Sequence, residues 1–143
     1  MAYVAANYLT NPNAPMGQWV CTRSSSLGPF ASSPTNTHSP DFCGQCVSFV
    51  TTVCTSIPVS TAAWKKGAQV KGLASIAKGT AIATFNENGK YSGHAAIYDG
   101  QTATGIQVVD QWVTGSGSPI HSRTLRFGAK GNSNNGDNFY VVD

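Results

Sequence analysis

Asp41-Phe42-Cys43-Gly44-Gln45-Cys46-Val47-Ser48-Phe49-Val50 carries a loop into a helix and sets a thiol at the join. Ahead of it, Ser39-Pro40-Asp41 is turn chemistry, and Asp41 is suited to cap a helix. Behind it, Cys46, Phe49/Val50, Val53 and Ile57 recur at three- and four-residue steps. That is the apolar stripe of an amphipathic helix, predicted from about 44 to 56 and closing before Pro58. Cys46 falls in its first turn, where unpaired backbone N–H groups and the helix dipole favour negative charge. A thiol so placed ionises more readily, which makes Cys46 a candidate nucleophile.

Upstream, residues 22–41 form a Ser/Thr/Pro-rich loop with Pro29, Pro34 and Pro40. A loop of that length is commonly a functional lid or a tied-down insertion, so it either rims the site or is pinned by Cys21. Residues 1–20 are irregular, broken by Pro12 and Pro15. Downstream, residues 60–72 are predicted to hold a short second helix around Ala62-Ala63-Trp64. Past Lys78-Gly79 the period changes to that of strands, predicted at 80–85, 94–98, 105–112, 122–127 and 139–142. Turn signals separate them at Glu87-Asn88-Gly89, Asp99-Gly100, 115–117 and 132–136. One helix ahead of a run of antiparallel strands reads as α+β, a single domain over 1–143.

The 143 residues are 41% hydrophobic and only 10% charged, with a net charge of +3 and no basic run, so nucleic acid is not an expected partner. The mild positive excess suits an anionic surface such as a bacterial wall. No apolar run approaches the roughly 20 residues of a membrane span, so no membrane association is expected. Met1-Ala2-Tyr3-Val4 lacks the basic start and apolar segment of a signal peptide; either export uses another route or Met1 replaces a removed leader. Four cysteines in a small chain point to an oxidising compartment. Cys46 and Cys54 lie two turns apart on one helix, about 12 Å by helical rise and too far to bridge. Cys21 is therefore expected to pair with Cys43 or Cys54.

A thiolate needs a base, and the base needs a group that fixes its tautomer. If the second and third strands pair about a turn centred on Thr102, His94 faces Asp110 and Tyr98 faces Ile106, while Gln111 points to the other face. A slip of two would keep a diagonal contact, and a slip of one would destroy the pair. Cys46, His94 and Asp110 then supply nucleophile, base and orienting group. Taken singly, each has a plainer reading: a buried small hydrophobe, an idle histidine, a turn cap. Taken together the plainer readings weaken, because they must explain why an acid interrupts the apolar run Ile106–Trp112 opposite the histidine. His38 and His121 are expected to be solvated. Trp64 and Trp112 are candidates to line a groove, with core packing as the alternative for each.

Gly44-Gln45-Cys46-Val47, Trp64-Lys65-Lys66-Gly67, the stretch 78–85, Asn88-Gly89-Lys90-Tyr91, Gly93-His94-Ala95-Ala96-Ile97-Tyr98, Val109-Asp110-Gln111-Trp112 and the close at 137–142 resemble, in order and spacing, the BPSL0067 family. That family is related to the NlpC/P60 and CHAP peptidoglycan amidases. The resemblance covers residues 43–143 and implies a papain-like fold, with the nucleophile's helix packed on an antiparallel sheet. It implies a secreted, monomeric cysteine amidase, without cofactor or metal, that cuts amide bonds in the stem peptides of bacterial peptidoglycan and has an immunity or inhibitor protein as a counterpart. It also implies Cys46, His94 and Asp110 as the catalytic set, with Gln45 assisting the oxyanion. Cys21, Cys43 and Cys54 depart from the bacterial pattern and suggest a secreted, eukaryotic relative. Three alternatives compete with this reading. Cys43-Gly44-Gln45-Cys46 is a CxxC at a helix start, as in thioredoxin-like redox proteins. The cysteines with His94 could form a zinc site. The same fold could also be a non-catalytic wall-binding module.

Overall fold

The computed structural model describes residues 1–143. Helix α1 spans Cys46–Val53, shorter at both ends than the apolar stripe predicts. Gly44, in the left-handed region at φ 85°, turns the chain sharply ahead of it, and Cys54 ends it at φ −106°. Gln45 stands at the N-cap without a capping side-chain bond. Asp41 does not cap the helix, because its carboxylate accepts a hydrogen bond from Ser25 Oγ at 2.6 Å within the preceding loop.

Two short strands, β1 (Trp19–Val20) and β2 (Phe30–Ala31), pair as a ribbon in the region predicted to be irregular. Cys21 is bonded to Cys43, which resolves the alternative left by spacing and leaves Cys46 and Cys54 free. The bond closes the 22–41 loop against the head of α1, and Thr22 N–H donates to Asp41 O at 2.9 Å across its neck. Arg23 Nε reaches the Thr51 carbonyl at 2.7 Å, fastening the loop to the far end of the helix. The loop is thus a pinned insertion.

The remaining strands are β3 (Lys66–Gln69), β4 (Ala81–Phe85), β5 (Tyr91–Gln101), β6 (Gly105–Trp112), β7 (Ser118–Arg126) and β8 (Phe139–Val142). They form one antiparallel sheet in the order β3-β8-β4-β5-β6-β7. The α+β expectation therefore holds, with differences in detail. A 3-10 turn at Thr61–Ala63 stands where a second helix is predicted, and β3 follows it. β5 and β7 begin earlier than their apolar alternation suggests.

Successive strand residues face opposite sides, and each side has its own core. Phe49, Val50 and Val53 of α1 pack over Ala81, Ala83, Ala95 and Ile97. Three alanines in that floor let the helix backbone sit close to the sheet. On the other face, Ile82, Ala96, Tyr98, Ile106, Val108, Leu125 and Phe139 form the second cluster.

Candidate active site

The β5–β6 register differs from the simplest hairpin. Ile97 pairs with Val109 and Tyr98 with Val108, two residues out from the expected partners. The cause is a longer, irregular turn, with a bulge between Tyr98 and Gly100. Because the slip is of two, His94 and Asp110 keep a common face and meet diagonally, and His94 Nε2 lies 2.7 Å from Asp110 Oδ2. Both side chains are buried. A further irregularity between the pairs Ala83–Ala95 and Phe85–Tyr91, with Gly93 at φ 107°, bows β5 outward at the residues that carry the ring towards the head of α1. A Cβ at Gly93 would press on Thr84 Oγ1 at 2.5 Å, so this bow needs glycine.

Cys46 is the first residue of α1 and half-buried, and its thiol is within interacting reach of the His94 ring. With Nε2 committed to Asp110, Nδ1 is the nitrogen left for the sulfur. Burial pushes the Cys46 thiol up, but the hydrogen bond and charge of His94, then Tyr91 and the Ala95 backbone N–H, bring it below its ordinary value. For His94, burial acts downward, yet the hydrogen bonds and charges of Asp110 and Cys46 raise it to about 9. Burial likewise acts upward on Asp110, and His94 and Arg123 outweigh it and hold the carboxyl below its usual range. The shifts all run the same way, favouring a thiolate beside an imidazolium that is held by a carboxylate. That is the charge distribution of an activated sulfur nucleophile.

A cleft of about 390 Å³ opens on this group, lined by Gln45, Cys46, His94, Trp112 and Arg123 among others. Its outer wall is made by residues 113–116 and 133–134, and no residue of the 22–41 loop lines it. The loop reaches the site only indirectly, through Thr37 O, which accepts from Gln45 Nε2 at 2.9 Å. Trp112 stands edge-on to His94, centroids 6.3 Å apart. Trp64 does not line the cleft; it is buried in the core with its indole N–H donating to Pro58 O at 2.8 Å.

Three residues that sequence reasoning missed hold the site together. Arg123 on β7 forks onto Asp110, with Nε 2.9 Å and Nη2 2.8 Å from Oδ2, and donates from Nη1 to Asn134 Oδ1 at 2.9 Å. Its guanidinium lies 4.4 Å from the centre of the Trp112 ring. Carrying the hairpin argument one strand further would have found it, since Asp110 pairs with His121 and Arg123 is the same-face diagonal. Gln111, on the other face of β6 as expected, accepts from Val20 N–H at 2.8 Å and donates to Gln45 O at 2.8 Å, tying β1 to the residue before the nucleophile. Tyr91 brings its hydroxyl to 3.3 Å from Cys46 Sγ. His121, expected in solvent, is instead partly buried against Trp112, with Nδ1 3.0 Å from Pro119 O and 3.9 Å from Asp110 Oδ1. His38 is exposed.

The alternatives fare differently. Cys43 is bonded to Cys21 and not to Cys46, so the CxxC does not form its own bridge, and it follows a ribbon and loop where a βαβ redox unit needs a buried strand. The same bond removes two thiolates from the zinc arrangement.

Comparison with known proteins gives consistent results. Residues 2–142 match the family described as Dae2, domesticated amidase effector 2. Similar relatives include the domesticated amidase effector 2 of Ixodes scapularis, 43% identical over 103 residues, covering 69% of this chain and 70% of the relative. A type VI secretion amidase effector 2 protein of Salmonella typhi is 35% identical over 96 residues, covering 56% of this chain and 71% of that protein. Among solved structures, a type 6 secretion amidase effector 2 (Tae2) superposes with a TM-score of 0.60 at 31% identity, covering 69% of this chain and 80% of that one.

Proposed function

The chain belongs to the domesticated amidase effector 2 family, and from that premise we propose that it is a cysteine amidase that hydrolyses amide bonds in bacterial peptidoglycan stem peptides. The observation that carries the thiol mechanism is the buried 2.7 Å contact between His94 Nε2 and Asp110 Oδ2, made beside a free cysteine that begins a helix and opens on a cleft. The motif order shared with the BPSL0067 family and its NlpC/P60 and CHAP relatives supports the same assignment, and residues 1–143 act as one papain-like hydrolase unit.

In this mechanism the Cys46 thiolate attacks the amide carbonyl, and the oxyanion is met by the Cys46 backbone N–H, which has no acceptor within the helix. The amide of Gln45, which also lines the cleft, keeps one N–H beyond the one given to Thr37 O and is the side-chain donor. Asp110 stabilises the imidazolium, and His94 gives its proton to the leaving amine as the thioester forms. His94 then takes a proton from water, hydroxide adds to the thioester, and the acid leaves with Cys46 restored. Trp112 offers an apolar wall to the peptide beside His94. The enzyme works as a secreted monomer on bacterial walls, with an immunity or inhibitor protein as its natural counterpart.

Cys46→Ala tests the assignment. Release of muropeptides from purified peptidoglycan is expected to fall by a factor on the order of 10³ or more, with the melting temperature unchanged. Undiminished release by that variant would refute it.

A further inference from the structure

We propose that Tyr91 is a catalytic residue of this site, its phenol donating a hydrogen bond to the Cys46 sulfur and holding it as the thiolate. The inference rests on Cys46 being the nucleophile and adds a second, uncharged donor to the one that His94 supplies. The hydroxyl lies 3.3 Å from Sγ, within hydrogen-bonding range for sulfur. Besides the imidazole, which acts on the thiol as a hydrogen-bond partner and a charge, the Tyr91 hydroxyl is the side-chain group in hydrogen-bonding contact with that sulfur.

The phenol is held there from behind. Tyr91 is the first residue of β5 and packs, with Phe85, against the core beneath α1. Its ring meets Trp64 edge to face, centroids 5.2 Å apart at 70°. Trp64 is itself fixed by burial and by its bond to Pro58 O. The chain Pro58–Trp64–Tyr91–Cys46 thus gives a purpose to a tryptophan that stays out of the cleft. The other acceptor open to the hydroxyl proton is Gly93 O at 3.4 Å, beyond the usual O–H···O range, so a negative sulfur at 3.3 Å is the better acceptor. Burial and the negative Cys46 raise the phenol's own ionisation well above the ordinary range, so it stays protonated and able to donate.

The role is needed twice in the cycle. A thiolate half out of water is costly unless donors replace its hydration. At rest His94 shares that task. When the thioester breaks, the departing sulfur regains its negative charge, and a donor that never gives its proton away is there to receive it. Tyr91 forms and breaks no covalent bond and transfers no proton.

Tyr91→Phe removes the hydroxyl and keeps the ring on Trp64, so the variant is expected to fold. The pH dependence of Cys46 alkylation by iodoacetamide, read by peptide mass so that buried Cys54 does not interfere, reports the thiolate directly and needs no substrate. The midpoint is expected to rise by about one to two pH units, the loss of one hydrogen bond to a charged group. On peptidoglycan fragments kcat near neutral pH should fall about 10-fold with KM little changed, and should recover in part as the pH is raised towards the His94 limit of about 9. An unchanged midpoint in a folded variant would overturn the proposal while leaving the amidase assignment intact. Alkylation that shifts as expected in a protein without amidase activity would support Tyr91's part and count against the assignment.

Discussion

At Cys46 the burial that makes the sulfur a poor ion competes with an imidazolium that makes it a good one, and the imidazolium prevails. In the proposed mechanism His94 is the group whose titration limits activity on the alkaline side. It must be protonated to deliver a proton to the leaving amine, and its value of about 9 lies above the ordinary 6.5. Activity is therefore retained through neutral pH and lost as pH rises through about 9, as initial rates on a defined muropeptide across pH 5–10 would record. A profile falling already near 6.5 would mean that Asp110 does not hold the ring charged. Of the site's residues, Cys46, His94 and Asp110 were legible because residue type and strand parity together fixed them. Arg123 was not. A basic residue in an alternating strand looks like any solvated face, and only the third strand's register turns it towards a carboxylate. Tyr91 was hidden for a different reason, since a tyrosine at a strand's start carries no mark of the sulfur it will meet.

Among the elements, β6 was read from sequence with its final bounds, Gly105–Trp112, because an apolar run ended by turn residues leaves little choice. β3 was missed because Lys66-Gly67-Ala68-Gln69 shows no alternation. It is a strand only by pairing with β8, at the far end of the chain. The head of α1 depends on one residue of special geometry. Gly44 is at φ 85°, and a Cβ there would lie 2.4 Å from Val113 Cγ1 and 2.8 Å from Trp19 Cε3. Gly44→Ala is expected to cost about 1–3 kcal/mol in urea unfolding, from backbone strain and the two clashes. Val113 lines the cleft, so the substitution should also lower kcat/KM for peptidoglycan fragments by more than the fraction unfolded explains.

For the whole molecule, the Cys21–Cys43 bond does what a small chain's core cannot do alone. It ties an insertion of some twenty residues with little regular structure to the functional helix. Loop-closure reasoning gives a contribution of about 3 kcal/mol, chiefly by restricting the unfolded chain. The double variant Cys21→Ser/Cys43→Ser should unfold at correspondingly lower urea and still release muropeptides where it is folded. Loss of activity in the folded variant would instead place the bond in the working site. The pairing was half legible from the sequence. Helical spacing separated Cys46 from Cys54, but the choice between Cys43 and Cys54 depends on how the loop returns.

The borders of the sheet have a consequence of their own. Ile120 of β7 exchanges backbone bonds with Gly17 and Gln18, so part of that border is already occupied. The opposite border, β3, is four residues long and presents Lys66. A neighbouring molecule finds only a short, charged ledge on which to lay a strand, and crowding therefore gives these molecules little purchase for growing into ribbons.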